Sequence, residues 1–347
     1  MSQALPDPYL PLPEWAHVSV PLAHGVIKSS PEDFVVTEIP GFEPDGEGEH
    51  VFLLLEKRGL NTLDLVSMIA RQLSVKASQI GYAGLKDKHA ITRQWLSVWH
   101  PAPLDPDKLV SDRFRVLETA RHHCKLKRGT HRANHFEIIL TDLQQTDGLD
   151  AAVERVRNEG VPNYFGLQRF GRQGKNIERA AAMFAGELKP DRHQRGLYLS
   201  AVRSFLFNQV LSERVKRANW NHGQDGEVMM LAGSRSFFQT QASDEGLQNR
   251  LAEFDIHPSA PLWGKGTLKS TGASAALEKR ILNHYPVLTA GLEKAGLRQQ
   301  RRATRLITED LELEWLAADK LKLSFGLIRG SFATVVLREL LNYQEQR

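Results

Sequence analysis

The chain has 347 residues, 45 basic against 41 acidic side chains, a formal charge of +4, and 41% hydrophobic content. At roughly 150 residues per domain, that length suggests about two domains, each with a real core. The composition excludes disorder, collagen and coiled coil as descriptions of the whole chain. Cys124 is the only cysteine, which excludes disulfide scaffolds and thiolate zinc sites and points to a reducing cytoplasm.

The proline-rich stretch Met1 to Trp15 has neither a basic start nor an apolar run, so no signal peptide is expected there. Val18 to Lys28 and Phe34 to Ile39 read as short strands around the turn Ser29-Ser30-Pro31-Glu32-Asp33. His50 to Glu56 reads as another strand; its run Val51 to Leu55 is far too short to span a membrane. Asn61 is placed to cap a helix reaching about Leu73, with Leu63, Val66, Ile69 and Ala70 facing inward. Gln94 to Trp99 and Asn134 to Thr141 are predicted strands; in the second, Phe136, Ile138 and Leu140 share one face. Asp150 to Arg157 reads as a helix stopped near Gly160-Val161-Pro162.

Helical periodicity covers Asn176 to Leu188 and Leu199 to Ala218, 219–275 reads as loop-rich, and helices resume from Ala276 to about Arg305. Leu311, Leu313 and Trp315, then Leu321, Leu323, Phe325 and Leu327, alternate as two strands, and Ala333 to Leu341 closes the pattern as a helix capped by Ser331. Strands at both ends with helices between them predict an α+β domain interrupted by a largely helical insertion.

Basic charge is segregated. Between Arg113 and Arg132 stand seven cations (Arg113, Arg115, Arg121, Lys125, Lys127, Arg128 and Arg132) against Glu118. Arg298, Arg301, Arg302 and Arg305 have the spacing of one helix face. Both clusters suit phosphate binding, and a solvated basic surface is the ordinary alternative. Nucleotide motifs fail: in Gly264 to Ser270, Leu268 stands where a Walker loop needs glycine, and Lys269 stands where a dinucleotide fingerprint needs its third. There is no His-Glu-x-x-His, and His122-His123 makes a poor metal site. No metal is expected.

In the segment Gly81 to Gln94, two glycines, Gly81 and Gly84, come before a carboxylate flanked by lysines, Lys86-Asp87-Lys88. The glycines offer backbone freedom, and nearby positive charge holds a carboxylate ionised, which suits a nucleophile better than a general acid. A solvated Lys-Asp-Lys turn is the ordinary alternative.

Gly84-Leu85-Lys86-Asp87-Lys88-His89-Ala90-Ile91-Thr92-Arg93-Gln94 closely resembles the active-site motif of the TruD family of tRNA pseudouridine synthases. Further similar segments follow in the family order: Lys28-x-x-Pro31-Glu32-Asp33-Phe34, Gly129 to Phe136, Gly160 to Gly171, and Gly330-Ser331-Phe332-Ala333-Thr334. The resemblance runs from about residue 25 to 342 and is weakest between about 219 and 295. It implies that Asp87 is the catalytic nucleophile for isomerising a uridine, at position 13 in the D arm of tRNA, without metal, nucleotide or redox cofactor. It maps substrate contacts onto Phe34 as stacking partner, Asn134 on the uracil edge and Phe332 closing the pocket. Each has a plain structural alternative in a core Phe, a strand-entry Asn and a helix-start Phe. Phe136 is a further pocket wall on Asn134's strand face, and Lys28 is the expected ion-pair partner of Asp87, with Lys86 and Lys88 as rivals.

The resemblance also implies a fold with a mixed, mainly antiparallel sheet. The catalytic domain would span 1–159 plus 306–347, with 1–15 as an extension, around a TruD-specific insertion at 160–305. A cleft between the two, lined by the basic clusters, would hold the RNA. The expected assembly is a cytoplasmic monomer whose partner is tRNA, and the competing readings are a synthase acting on another RNA or a non-catalytic RNA-binding protein of the same fold.

Overall fold

The structure is a computed structural model that describes residues 12, 14–240 and 246–346. Most of the extension expected at 1–15 therefore lies outside the described residues. The chain divides into two compact units: Met1–Pro21, Ala152–Ile307 and Thr334–Glu339 form one, and Leu22–Ala151, Thr308–Ala333 and Leu340–Arg347 the other.

The unit that begins at Leu22 is built on strands. β1 (His24–Ile27) is shorter than the alternation from Val18 suggests, because only these residues find strand partners; Val20 and Leu22 stay exposed. β2 (Phe34–Pro40) and β3 (His50–Arg58) follow, then α1 (Thr62–Gln72). The Asn61 side chain caps α1 by accepting the Asp64 amide hydrogen at 2.9 Å. Its inner face is Leu65, Val66, Ile69 and Ala70; the predicted Leu63 lies outside, half exposed. β4 (Ile80–Tyr82), β5 (Ile91–Trp99), β6 (Phe114–His122) and β7 (His131–Gln144) complete this run, and α2 (Leu149–Glu159) ends at Gly160, whose φ of +76° suits a residue without a side chain.

The other unit takes in most of α2, from Ala152, and continues with β8 (Val161–Pro162), α3 (Lys175–Ala185) and α4 (Arg192–Lys216). Asp191 and Gln194 cap α4 reciprocally. Val202, Phe205, Leu206, Phe207, Val210 and Leu211 are all fully buried, so α4 is the central rod of its unit. The loop-rich reading of 219–275 is corrected: β9 (Val228–Leu231), β10 (Phe237–Gln239), α5 (Leu247–Ala252) and β11 (Ile256–Leu262) lie there. α6 (Gly272–Leu282), α7 (Pro286–Lys294), β12 (Gln300–Ala303) and β13 (Arg305–Leu306) follow. β10, β9, β11 and β12 form a four-stranded sheet in that order, and β13 pairs with β8.

The arginine helix face is also overturned. α7 stops before the first of these arginines, at Gly296 with φ +81°, and Gln300–Ala303 and Arg305–Leu306 are strands. Arg301 is buried against Glu278 at 2.8 Å and donates to Ser259. Arg302 lies over Phe165, 4.1 Å from the ring centre, and donates to Asn163. Arg305 is buried and donates to the Leu251 and Ile256 carbonyls. Of the four, only Arg298 is exposed. A recurrence of charge mimicked a helix, but Arg301, Arg302 and Arg305 lie in strands, where partners on other elements take up their guanidinium groups.

The chain then returns to the unit that begins at Leu22 with β14 (Glu309–Ala317) and β15 (Lys320–Ile328), passes through α8 (Ala333–Leu340), whose Thr334–Glu339 belong to the other unit, and ends in β16 (Asn342–Glu345). The sheet order is β14-β15-β7-β2-β5-β3-β6, with β1 against β7 and β16, and β4 against β5. Most pairs are antiparallel; β2 with β5 and β1 with β16 are parallel. The apolar run of β3 serves both faces: Val51, Leu53 and Leu55 pack with α1, while Phe52 joins Ala83, Trp95 and Leu126 opposite. No helix among the described residues is long and apolar enough to cross a membrane.

Replacing Arg301 should act on stability. Arg301→Gln leaves the Glu278 carboxylate buried without its cation, a change that typically costs about 3–5 kcal/mol. A urea-unfolding midpoint that stays at the wild-type value would place Arg301 back on the surface.

Candidate functional site

The site is assembled by strand register. Because β2 and β5 run parallel with Val35 opposite Ile91, their N-terminal ends lie side by side. The 83–90 loop that enters β5 is thereby brought to Phe34 at the start of β2. On the other side of β2 runs β7, antiparallel, pairing Phe34 with Ile138, Val36 with Phe136 and Glu38 with Asn134. Side chains alternate along a strand, so Phe34 and Glu38 share a face with Phe136 and Asn134. Phe34 meets Phe136 edge-on at 6.3 Å, and Phe136 stacks on Phe325 at 5.6 Å.

Asp87 sits in the 83–90 loop with its carboxylate 42% exposed, open to a reactant. Its Oδ2 accepts a hydrogen bond from Lys28 Nζ at 2.9 Å, and its Oδ1 accepts the His89 amide hydrogen at 3.1 Å. Partial burial pulls the carboxyl upward, but the Lys28 hydrogen bond and charge, with the His89 amide, outweigh it and hold the group below the ordinary carboxylate value. Lys28 itself has φ +59°, the left-handed region, and its ammonium lies 4.7 Å from the Phe34 ring centre. The rival cations are placed differently. Lys86 is buried and turns away to Glu38 Oε2 at 2.8 Å and Asn134 Oδ1 at 2.6 Å, and Lys88 is exposed.

The two glycines before Asp87 do not serve as hinges: neither has a positive φ. They provide room. A side chain at Gly81 would meet the Leu126 carbonyl oxygen at 2.3 Å, and one at Gly84 would press on Lys86 Nζ and the His131 ring at 3.2 Å.

Three residues at this site escaped the sequence reading. Lys57 is fully buried and donates to the Leu60 carbonyl at 2.5 Å and the Asp87 carbonyl at 2.7 Å. Burial, with the Lys86 charge and against the attraction of Asp87, pushes its ammonium down to about 8. Glu38 is buried, and burial raises its carboxyl although Lys86 and the Trp95 amide oppose the rise. His131 is pushed down to about 4 by burial and by the charges of Lys86 and Arg329, so its ring is neutral at pH 7. A signal existed for the first two. Lys57 continues the inward alternation Val51, Leu53, Leu55, and Glu38 continues Phe34, Val36.

Contacts thus gather Lys28, Phe34, Lys86, Asp87, Asn134 and Phe136 in one unit. Phe332 is half-buried between β15 and α8, five residues past Leu327, the β15 partner of Asn134. Among the described residues no group of three or more His, Cys, Asp or Glu side chains is arranged to hold a metal. A cavity of about 470 Å³ bordered by His24, Asp142, Gln144 and Asn342 contains none of the site residues.

Lys28→Met removes the charge and the hydrogen bond that outweigh burial. The Asp87 carboxyl, held below the ordinary carboxylate value in the wild type, should move upward in the variant. Stability from the pairing is complete above the unfolded value and is lost as pH falls through the lower folded value. Carboxyl ¹³C titration by NMR reads the shift; an Asp87 resonance that titrates unchanged would remove Lys28 as the cause.

The sequence model of the family described as tRNA pseudouridine synthase D (TruD) matches residues 14–190 and 177–340. A Methylococcus capsulatus protein named tRNA pseudouridine synthase D is 46% identical over 337 residues, covering 94% of this chain and 95% of its own. An Aeromonas salmonicida protein of the same name is 45% identical, with 94% and 93% covered. Among solved structures, a Methanosarcina mazei chain assigned to TruD shares the fold with a TM-score of 0.74 at 22% identity, over 94% of this chain and 95% of its own. With the family's sequence matched along almost its whole length, this chain belongs to the tRNA pseudouridine synthase D (TruD) family.

Proposed function

We propose that this protein is a tRNA pseudouridine synthase that isomerises uridine 13, in the D arm of its substrate, with Asp87 as the nucleophile. The observation that carries this reading is the Asp87 carboxylate itself. It is held ionised by Lys28 and the His89 amide, open to solvent, and seated beside the face that carries Phe34, Phe136 and Asn134. Addition to the ribose, addition to the base and abstraction of a ribose proton all begin from an ionised carboxylate, which this arrangement supplies.

The uridine must leave its stack to reach Asp87, at a cost of a few kcal/mol. Phe34 would recover part of that cost, with the base over the ring face now approached by the Lys28 ammonium. Asn134 would bond the uracil edge, and Phe332 would close the pocket. The unit holding these residues is assigned the catalytic role, and 160–305 the role of the insertion.

For the first basic run, several cations are already engaged: Arg115 pairs with Glu56 at 2.8 Å and Arg121 binds the Gly48 and His100 carbonyls. Lys127, Arg128 and Arg132 are exposed, Arg128 lying over the Tyr82 ring and donating to its hydroxyl, and are assigned to RNA phosphates. Replacing all three by glutamine should weaken tRNA binding and lower the slope of log affinity against log salt by roughly 2 to 3. A slope equal to wild type would leave them as a solvated face.

Asp87→Asn keeps the size of the side chain but loses the charge and the nucleophilic oxygen. Single-turnover pseudouridine formation at saturating tRNA should be abolished, tRNA binding should persist through the phosphate contacts, and stability should change by no more than about 1 kcal/mol. Near-normal turnover in this variant, free of deamidated protein, would remove Asp87 from the chemistry. Mapping the product on tRNA tests the position: conversion at a uridine other than 13 would reassign the substrate.

A further inference from the structure

An asparagine side chain can face a base with its carbonyl or with its amide hydrogens, and the two choices recognise opposite partners. At Asn134 the neighbours decide. Lys86 Nζ, a group that only donates, stands 2.6 Å from one side-chain atom, which must therefore be the oxygen. Lys86 has little freedom to move: its other short contact is Glu38 Oε2 at 2.8 Å, with the two side chains 6% and 1% exposed. Gly84 leaves the room for this, since a side chain there would crowd Lys86 Nζ. Asn134 Nδ2 has no acceptor among the described residues, and the residue is only partly buried, so its two hydrogens remain for a ligand.

A buried ion pair of this kind commonly contributes little net stability compared with an apolar pair of the same volume. What it does here is orient a third side chain. We propose that Lys86 and Glu38 are positioning residues that lock Asn134 as a hydrogen-bond donor toward the base, so that the pocket reads a ring carbonyl of uracil. This rests on the assignment of Asn134 to the substrate made above. Uracil offers two carbonyl oxygens, O2 and O4. Cytosine offers only O2 and carries an amine at position 4, where a second donor would leave both groups unsatisfied.

Asn134→Asp separates the two polarities. Aspartate keeps an oxygen for Lys86, so the local pairing survives, but places an acceptor where the amide hydrogens were. A donor role predicts a fall in kcat/KM of roughly 10- to 100-fold with melting temperature retained. Activity within about threefold of wild type would mean that Asn134 accepts from the uracil N3–H, and the proposal fails. The carbonyl is identified with tRNA carrying 2-thiouridine or 4-thiouridine at the target, because sulfur is the weaker acceptor. One of the two should slow the wild type by about tenfold; no effect from either overturns the donor role.

The positioning claim is read in Lys86→Met/Glu38→Leu, which removes both charges together and leaves neither one stranded. With Asn134 free to turn over, turnover of ordinary tRNA should fall while the thio penalty shrinks below about twofold. A double variant that keeps the full thio penalty would show that Asn134 holds its polarity without the pair. Binding is followed separately by titrating uridine 5′-monophosphate into ¹⁵N-labelled protein. The Asn134 Nδ2 hydrogens should move downfield in the wild type and not in the double variant. That readout needs no catalysis, so a wild type that turns over no uridine would sink the proposed function while leaving the donor polarity to be decided by the titration. Equal shifts in both proteins would overturn the positioning role.

Discussion

The loop around Asp87 is suspended from lysine ammonium groups, and the rest of the site follows from where those lysines are anchored. Lys28, just past β1, holds the carboxylate; Lys57, on β3, holds the Asp87 carbonyl; Lys86, next in the chain to Asp87, reaches across to Glu38 on β2 and Asn134 on β7. One short loop is thus tied to strands that are far apart in sequence. Each bond has a charged partner in a partly or fully buried setting, where such bonds are strong and their loss is costly.

The arrangement also separates electrostatic roles that proximity would otherwise blur. Lysines flank Asp87 on both sides in the sequence, yet its ion-pair partner comes from 59 residues away. Lys86 is neutralised by Glu38, and Lys57 satisfies two carbonyls, so neither competes for the carboxylate. Burial opposes charge at Asp87 and at Lys57; at Asp87 the Lys28 bond prevails and at Lys57 burial prevails. The outcome is a carboxylate that stays ionised although it is partly buried.

The sheet gives this cluster its precision. Phe34, Phe136 and Asn134 are set at fixed spacing by the β2–β7 register, and a slip of one residue between these strands would put Phe34 on the opposite face from Phe136 and Asn134. Phe136 is backed by Phe325 of β15, so the wall of the site is also part of the core. A site built on paired strands is held more firmly than one built on loops alone.

The sequence by itself determined the α+β organisation, most element positions and, through the motif around Asp87, the family. Strands β2, β3, β5, β7, β14 and β15 and helix α1 were legible because apolar periodicity and an Asn61 cap are local properties. Tertiary structure decided what local pattern cannot carry. Leu63 and Leu65 are both plausible on the inner face of α1, and only packing against β3 chose Leu65. Arginines spaced like a helix face became interior strand residues because Glu278, Asn163 and backbone carbonyls waited for them on other elements. The glycines beside Asp87 proved to make room for neighbours whose approach is invisible in the chain. Glu38 and Lys57 escaped notice because the partners that make their burial tolerable are fixed by strand register and loop closure, which depend on residues distant in sequence.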